Sequence, residues 1–175
     1  NAPAYFSKAE ELDGLVYNAF CAANLSKYLI ANTKKDEKTA VFLKPCDTYS
    51  LNQLLKDRRV QREQVLVIGI PCAGMVDINK IKEQGLKGII GITEDGDNLK
   101  VATAYGKKEV ARAEVLLNKC LACKGSAYAV SDETLGEPVA VKHAPYDRFT
   151  EVEKLESLSP QERFAFWQQE LSKCI

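Results

Sequence analysis

Histidine, methionine and tryptophan each occur only once in this chain of 175 residues. With His143 as its single imidazole, the chain offers no Ser/His/Asp set beyond that one residue, and an isolated histidine in an irregular stretch reads as a surface position. No apolar run approaches the roughly 20 residues of a membrane helix, so no membrane span is expected. There is no basic, then apolar, then small-residue leader, so no secretion signal is expected either. Net charge is also lacking: 24 basic residues balance 24 acidic ones, which leaves no electrostatic case for nucleic acid or an anionic membrane as partner. The Gly-rich phosphate loop is missing, since Pro71-Cys72-Ala73-Gly74 has neither its glycines nor its Lys-Ser/Thr. Neither a solenoid repeat nor a low-complexity tract occurs. The chain opens on Asn1 and closes on Cys174-Ile175, and reads as a fragment or a processed form.

What is present is a globular composition, 46% apolar, long enough for one domain with a sizeable core. Six cysteines stand out: Cys21, Cys46, Cys72, Cys120, Cys123 and Cys174. Length, α/β pattern and the missing leader favour a reducing, cytoplasmic setting. Cysteines there bind metal or do redox chemistry more often than they form disulfides.

Thr39 to Met75 reads as one small unit written twice. Ala40-Val41-Phe42-Leu43 runs into Lys44-Pro45-Cys46-Asp47 and a helix-like run to Asp57. Val65-Leu66-Val67-Ile68-Gly69-Ile70 runs into Pro71-Cys72-Ala73-Gly74 and a second helix-like run from Val76 to Gly85. Such apolar runs fit strands buried on both faces, as in parallel sheets. The loops at the carboxyl ends of parallel strands are where ligands bind, so two thiols reach the functional rim by one device.

Around this unit, Ser7-Lys8-Ala9-Glu10 reads as a capping box opening a helix to about Ala31. Its apolar stripe is Leu12, Leu15, Val16, Ala19, Phe20 and Ala23, broadened by Tyr17, Cys21, Leu25 and Tyr28. Cys21, in mid-helix, reads as a packing residue. Lys87–Thr93 and Leu99–Tyr105 read as strands of an antiparallel hairpin around Asp95-Gly96, and Val110–Leu117 as a short helix. Gly125 to Thr150 is irregular. Glu151–Leu158 reads as a short acidic helix, and Ser159-Pro160-Gln161-Glu162 opens another that carries Phe164, Trp167 and Leu171 on one face. The expected fold class is α/β: a small, mainly parallel sheet with flanking helices, an antiparallel β-hairpin and a helical C-terminal segment. The expected division is an α/β cluster-binding domain over 1–124 and an irregular and helical extension over 125–175.

Cys120-x-x-Cys123 is the sharpest local signal, because two intervening residues let both sulfurs reach one ion or cluster. The spacing serves zinc ribbons, iron–sulfur clusters and dithiol redox sites alike. Cys46 and Cys72, at equivalent ends of neighbouring strands, would complete a four-thiolate set. Structural zinc usually uses two Cys-x-x-Cys knuckles rather than single thiols from separate βα loops, so a 4Fe-4S cluster is favoured. Helix N-termini near Cys46 and Cys72 are placed to attract an anion, such as the phosphate of a flavin or nucleotide. Lys44, Asp47 and Gly74 are the weaker cofactor contacts, with Lys44 and Asp47 placed to tune the thiol they flank.

Taken together, Lys44-Pro45-Cys46-Asp47, Gly69-Ile70-Pro71-Cys72 and Lys119-Cys120-x-x-Cys123-Lys124 resemble the beta-subunit family of deazaflavin (coenzyme F420) hydrogenases and dehydrogenases. Phe166-Trp167 and Ser172-Lys173-Cys174-Ile175 resemble members in which a ferredoxin-type 4Fe-4S domain follows. The resemblance implies an electron-transfer component of hydrogenase, formate dehydrogenase or heterodisulfide-reductase-like complexes of anaerobic prokaryotes. It implies iron–sulfur clusters, in some members FAD, and other redox subunits as partners. Carried onto this chain, Cys46, Cys72, Cys120 and Cys123 become the ligands of one cluster, and Cys174 the first ligand of a second, truncated one. The family's first motif often continues with Arg three residues after the Cys, where this chain has Tyr49. Two alternatives stand beside an iron–sulfur electron-transfer domain: a flavin- or deazaflavin-binding catalytic subunit, and a zinc-stabilised interaction module.

Overall fold

The computed structural model describes residues 3–32, 38–123, 125, 127–142, 146–147 and 149–174. The chain divides into two compact units, residues 1–144 and 145–175, and its class is α/β. In the first unit, β1 (Thr39–Leu43) and β2 (Val65–Gly69) pair in parallel from Thr39↔Val65 to Leu43↔Gly69. A bond from Ile70 N–H to Leu43 O (2.9 Å) carries the ladder one step further. Both strands alternate rather than being buried throughout. Val41, Leu43, Val65 and Val67 enter the core, while Leu66 is exposed and Phe42 and Ile68 are half-buried. The expectation of strands buried on both faces gives way because the sheet's apolar layer, with Leu29, Leu51 and Val60, lies on one face.

The first copy of the doubled unit continues directly into α2 (Pro45–Lys56), after a short α1 (Leu29–Asn32) upstream of β1. Pro45 takes the first helical position, where a missing N–H is harmless, and Asp47 lies in the first turn, where a carboxylate suits the helix dipole. The second copy differs. Residues 70–77 form no helix, bending at Ala73 and Gly74, and α3 (Ile78–Glu83) starts only after Asp77, whose side chain caps Asn79 N–H at 2.9 Å. Gly85, at φ 79°, closes it. The stretch is held because Met75, Val76 and Asp77 pair with Val115, Leu116 and Leu117: Asp77 N–H bonds Val115 O and Leu117 N–H bonds Met75 O, each at 2.8 Å. Of the two Pro-Cys thiols, therefore, Cys46 alone sits at a helix N-terminus.

The antiparallel part is a meander of three strands, β3 (Ile89–Asp95), β4 (Asn98–Thr103) and β5 (Gly106–Ala111). The first connection is the Gly96-Asp97 loop between paired Asp95 and Asn98, with Gly96 at φ 59°. The strand β5 occupies part of the stretch expected to be helical. Leu99, Val101, Val110 and Val115 form a second core with Ala19, Val76 and Ile81. A 3₁₀ turn over Arg112–Glu114 leads to α4 (Asn118–Leu121).

The N-terminal helix expected to about Ala31 does not form. A 3₁₀ turn over Ala9–Gly14 opens it, with Glu11, not Glu10, reaching back to the backbone N–H groups of Ser7 (2.9 Å) and Lys8 (3.3 Å). Residues 15–24 then run as an irregular strap whose backbone bonds distant partners. Ala19 O accepts from Val76 N–H at 2.8 Å, and Ala19 N–H donates to the Glu94 carboxylate at 2.6 Å. Lys44 Nζ donates to Cys21 O (3.3 Å) and Ala23 O (2.8 Å), and Lys119 Nζ to Ala22 O (2.9 Å). The apolar stripe is thus a local signal overridden by tertiary bonding: Leu12, Leu15 and Val16 are exposed, while Ala19 is buried.

A short strand, β6 (Glu133–Thr134), adds to β2 in parallel within the stretch expected to be irregular. The Asp132 carboxylate accepts Val67 N–H at 2.7 Å, Asp132 N–H bonds Val67 O at 2.9 Å, and Arg62 pairs with the same carboxylate. In the second unit, α5 (Thr150–Ser157) and α6 (Pro160–Leu171) are joined at Ser159, which forms the expected capping box with Glu162. Arg163 donates to Glu156 O and Leu158 O. Phe164, Trp167 and Leu171 are exposed. Among the described residues no helix is long and apolar enough to cross a membrane.

Two consequences are measurable by chemical denaturation of the chain. The ammonium of Lys44 and the carboxylate of Asp47 meet at 2.6 Å with side chains only 4% and 5% exposed. Lys44→Met strands a buried carboxylate and frees the strap, and is expected to lower the unfolding free energy by about 3–5 kcal/mol. Adding Asp47→Leu to it recovers most of that loss. Asp132→Ala leaves Val67 N–H without its acceptor, a loss of about 1–2 kcal/mol at neutral pH. The Arg62 and Val67 bonds hold the Asp132 carboxyl below its ordinary 3.8. Its contribution is therefore present above that value and lost as pH falls through the lowered one, and the gap between wild type and Asp132→Ala closes in acid.

Candidate thiol site

The in-register parallel pair ends with Leu43 beside Gly69, so Cys46 and Cys72 emerge side by side at the carboxyl end of the sheet. The strip pairing of 75–77 with 115–117 brings the Cys-x-x-Cys segment to the same end. Cys120 Sγ accepts Met75 N–H at 3.4 Å, and Cys120 and Cys72 share an apolar cluster with Met75, Leu116 and Ala22. Cys123 follows one turn on, its N–H bonded to Cys120 O at 3.3 Å and its Sγ accepting Gly125 N–H at 3.3 Å. A Cβ placed on Gly125 would lie 3.2 Å from Cys46 N and 3.3 Å from Pro45 Cβ. That close approach lets the chain leaving Cys123 lie against the first Pro-Cys turn, and Ala129 N–H then bonds Thr48 Oγ1 at 2.9 Å on α2.

The thiols sense one another. Cys46 is exposed as a residue, yet partial desolvation of its sulfur first, then the Asp47 carboxylate and the sulfurs of Cys123 and Cys72, push it up to about 12, against a partial pull from Lys44. Burial likewise raises Cys120, assisted by Cys72 and Cys123 and opposed by the Met75 N–H and by Lys119. At neutral pH, without a cation, both are protonated thiols. A metal or cluster binding there would displace protons. All six cysteines are free of disulfides. Among the described residues no three His, Cys, Asp or Glu side chains are gathered tightly enough for a single ion; tetrahedral zinc would need sulfurs about 3.8 Å apart, given bonds of about 2.3 Å.

The flanking residues divide in two. Lys44 and Asp47 form the buried ion pair at the root of Cys46, whose Sγ lies 3.7 Å from Asp47 Oδ1. Gly74, at φ 94°, is walled in by protein: a Cβ there would sit 2.7 Å from Leu116 and 3.0 Å from Val141. Its carbonyl accepts from Arg112 at 3.2 Å, and Arg112 in turn pairs with Glu94. Cys174 lies exposed in the second unit, and Tyr49 is exposed. His143 falls outside the described residues.

Tyr17 and Cys21 carry no mark in the sequence that assigns them to this site, and Lys119 figured there only as a flank of the Cys-x-x-Cys motif. Tyr17 OH donates to Pro71 O at 2.8 Å. Desolvation, and then the negative charge of the nearby Cys72, hold its phenol above the ordinary tyrosine value. Cys21 is no mid-helix packing residue: it lies on the strap, its carbonyl on Lys44. One usable signal exists, since Lys44 and Lys119 each stand within two residues of a site cysteine. An open cavity of about 340 Å³, lined by Tyr17, Pro71, Ala73, Met75, Glu94 and Arg112 among others, adjoins the Cys72 loop.

Two curated relatives align over 74 residues, 42% of this chain. One is the F420-dependent formate dehydrogenase subunit beta of Methanocaldococcus jannaschii, 31% identical, and the other the F420-dependent formate dehydrogenase 1 subunit beta of Methanococcus maripaludis, 30% identical. The aligned stretch spans 20% and 19% of their lengths. A solved chain from the F420-reducing NiFe hydrogenase complex of Methanosarcina barkeri aligns over 55% of this chain and 39% of its own length, at 15% identity and a TM-score of 0.40. Residues 36–153, which include Cys46, Cys72, Cys120 and Cys123, match the family described as the C terminus of the coenzyme F420 hydrogenase/dehydrogenase beta subunit, and the chain belongs to that family.

Proposed function

We propose that Cys46, Cys72, Cys120 and Cys123 hold a 4Fe-4S cluster, and that the chain is an electron-transfer segment of a multi-subunit oxidoreductase. The observation that carries this reading is the meeting of three separate chain segments, each delivering thiols to one end of the parallel sheet. The donor set supports it, because an all-sulfur site suits iron–sulfur or zinc. A bound cluster would supply reversible one-electron storage, with a potential set by charge, burial and hydrogen bonds to sulfur. The chain's own part is positional and electrostatic. Met75 and Gly125 direct N–H groups at the sulfurs of Cys120 and Cys123, which stabilises sulfur-borne negative charge. The ammonium groups of Lys44 and Lys119 stand near Cys46 and Cys120, while Asp47 neutralises the first.

In this reading the partners are other redox subunits in the cytoplasm, and Cys174 is a ligand of a second cluster. One observation favours a second reading, a flavin or deazaflavin next to the thiols: the cavity beside Cys72 combines the Tyr17 ring with an Arg112–Glu94 pair.

Anaerobic purification and analysis for iron and acid-labile sulfide test the proposal. The expected result is about four irons with matching sulfide per chain and a broad brown absorbance. Cys46→Ser and Cys72→Ser should each cut iron content severalfold. Zinc without colour, a yellow three-band flavin spectrum without iron, or iron content indifferent to both substitutions would each reject the cluster assignment.

A further inference from the structure

A second open cavity, of about 380 Å³, lies between the link from α3 to β3 and the turn from β4 to β5. Residues 85–87 line one side, and Thr103 with residues 105–108 the other. None of them belongs to the thiol site. Three of them, Lys87, Lys107 and Lys108, are basic and none is acidic. Among the described residues Lys44, Lys100, Lys142, Lys154 and Lys173 each meet a carboxylate, and these three do not. Beside them stands Tyr105, 86% exposed, more than any other large apolar side chain among the described residues. Its place is fixed by the turn that carries it. Ala104 N–H bonds Gly88 O at 2.9 Å, and the Thr103 hydroxyl donates to Gly106 O at 2.9 Å while accepting Tyr105 N–H at 3.1 Å. Gly88, at φ 63°, lies so close that a Cβ there would stand 3.4 Å from the Tyr105 ring.

We propose that this cavity binds a nucleoside polyphosphate, with its phosphates on Lys87, Lys107 and Lys108 and its base stacked on Tyr105. Three like charges gathered around one hollow repel one another, and an anion placed among them replaces that repulsion with attraction. Lysine holds phosphate as a compact point charge. The exposed ring offers a flat apolar face, and stacking on such a ring is tolerant of which base it meets. The volume falls within the range of about 300–1,000 Å³ found for small-molecule sites. An acidic peptide would satisfy the charges and leave the ring without a role, whereas a compact ligand with both phosphates and an aromatic base engages both. The cavity uses none of the thiols, so it stands apart from the cluster reading of Cys46, Cys72, Cys120 and Cys123.

The test is isothermal titration of the purified chain with ATP, inorganic tripolyphosphate and a hexaglutamate peptide. ATP should bind saturably, and more weakly as salt is raised. Tyr105→Ala should weaken ATP roughly tenfold and leave tripolyphosphate unchanged. Lys87→Gln, Lys107→Gln and Lys108→Gln combined should abolish the binding of both. All four side chains are exposed, so the variants should melt as the wild type does, and the losses then belong to the site. ATP that fails to saturate at millimolar concentration overturns the proposal. So does ATP binding that is indifferent to Tyr105→Ala or to the lysine substitutions. Hexaglutamate bound as tightly as ATP overturns it as well, and marks the surface instead as a docking face for an acidic protein.

Discussion

The parallel, in-register pairing of β1 with β2 is the constraint on which the rest depends. A register with Leu43 opposite Gly69 ends both strands at the same level, so Pro45-Cys46 and Pro71-Cys72 leave the sheet together. A slip by one residue would also invert each side chain's face, taking Val41, Leu43, Val65 and Val67 out of the core they share with Leu29 and Leu51. Core packing and site geometry are therefore specified by the same ladder, and a substitution that loosens the first disperses the second.

The two Pro-Cys turns start alike and then diverge because they face different neighbours. After Pro45 the chain has α2 to form, and the helix dipole, the Lys44–Asp47 pair and the Thr48 hydroxyl are arranged in its first turn. After Pro71 the backbone is taken up by the strip at 115–117 and by Val76 bonding Ala19 O. That second arrangement has to admit Leu116 and Val141 within touching distance of Gly74, a contact only glycine permits at φ 94°. The asymmetry gives the thiols different surroundings: Cys46 beside a carboxylate, Cys120 beneath a backbone amide, Cys72 beside a phenol.

What can be read from residues alone follows the range of the interactions involved. The doubled strand and Pro-Cys unit, α2, the Gly96 connection and the Ser159 capping box are local, written in consecutive side chains, and are legible. The strand-end places of Cys46 and Cys72 and the Cys120-x-x-Cys123 pair are legible from spacing and topology; their joining into one ligand set is the proposal above. The strap is not: Leu12, Leu15, Val16 and Ala19 carry a helical period, yet residues 15–24 spend their backbone groups on Val76, Glu94, Lys44 and Lys119, partners that no window of neighbouring residues reveals. The strand β5 is hidden because Gly106-Lys107-Lys108-Glu109 is an exposed edge without an apolar alternation, and β6 because a two-residue strand has no period at all. Tyr17 is hidden for the same reason as the strap, since a position on a helix stripe has no reason to meet a thiol loop 54 residues away.

Burial sets the energetic character of the site. Cys120 is buried, Cys72 and Cys123 are half-buried and Cys46 is exposed; partial desolvation and the neighbouring sulfurs make ionisation harder, so Cys46 and Cys120 are driven toward the neutral thiol. Such a set is a poor collection of isolated nucleophiles, because the thiolate is the reactive form. It is a suitable set of ligands for a multiply charged centre, because a cation reverses the sign of the interaction that held the protons on. The amide groups of Met75 and Gly125 and the ammonium groups of Lys44 and Lys119 are then aligned with the charge that replaces those protons. In the proposed reading, the surroundings that keep the free thiols neutral are the ones a bound cluster would use.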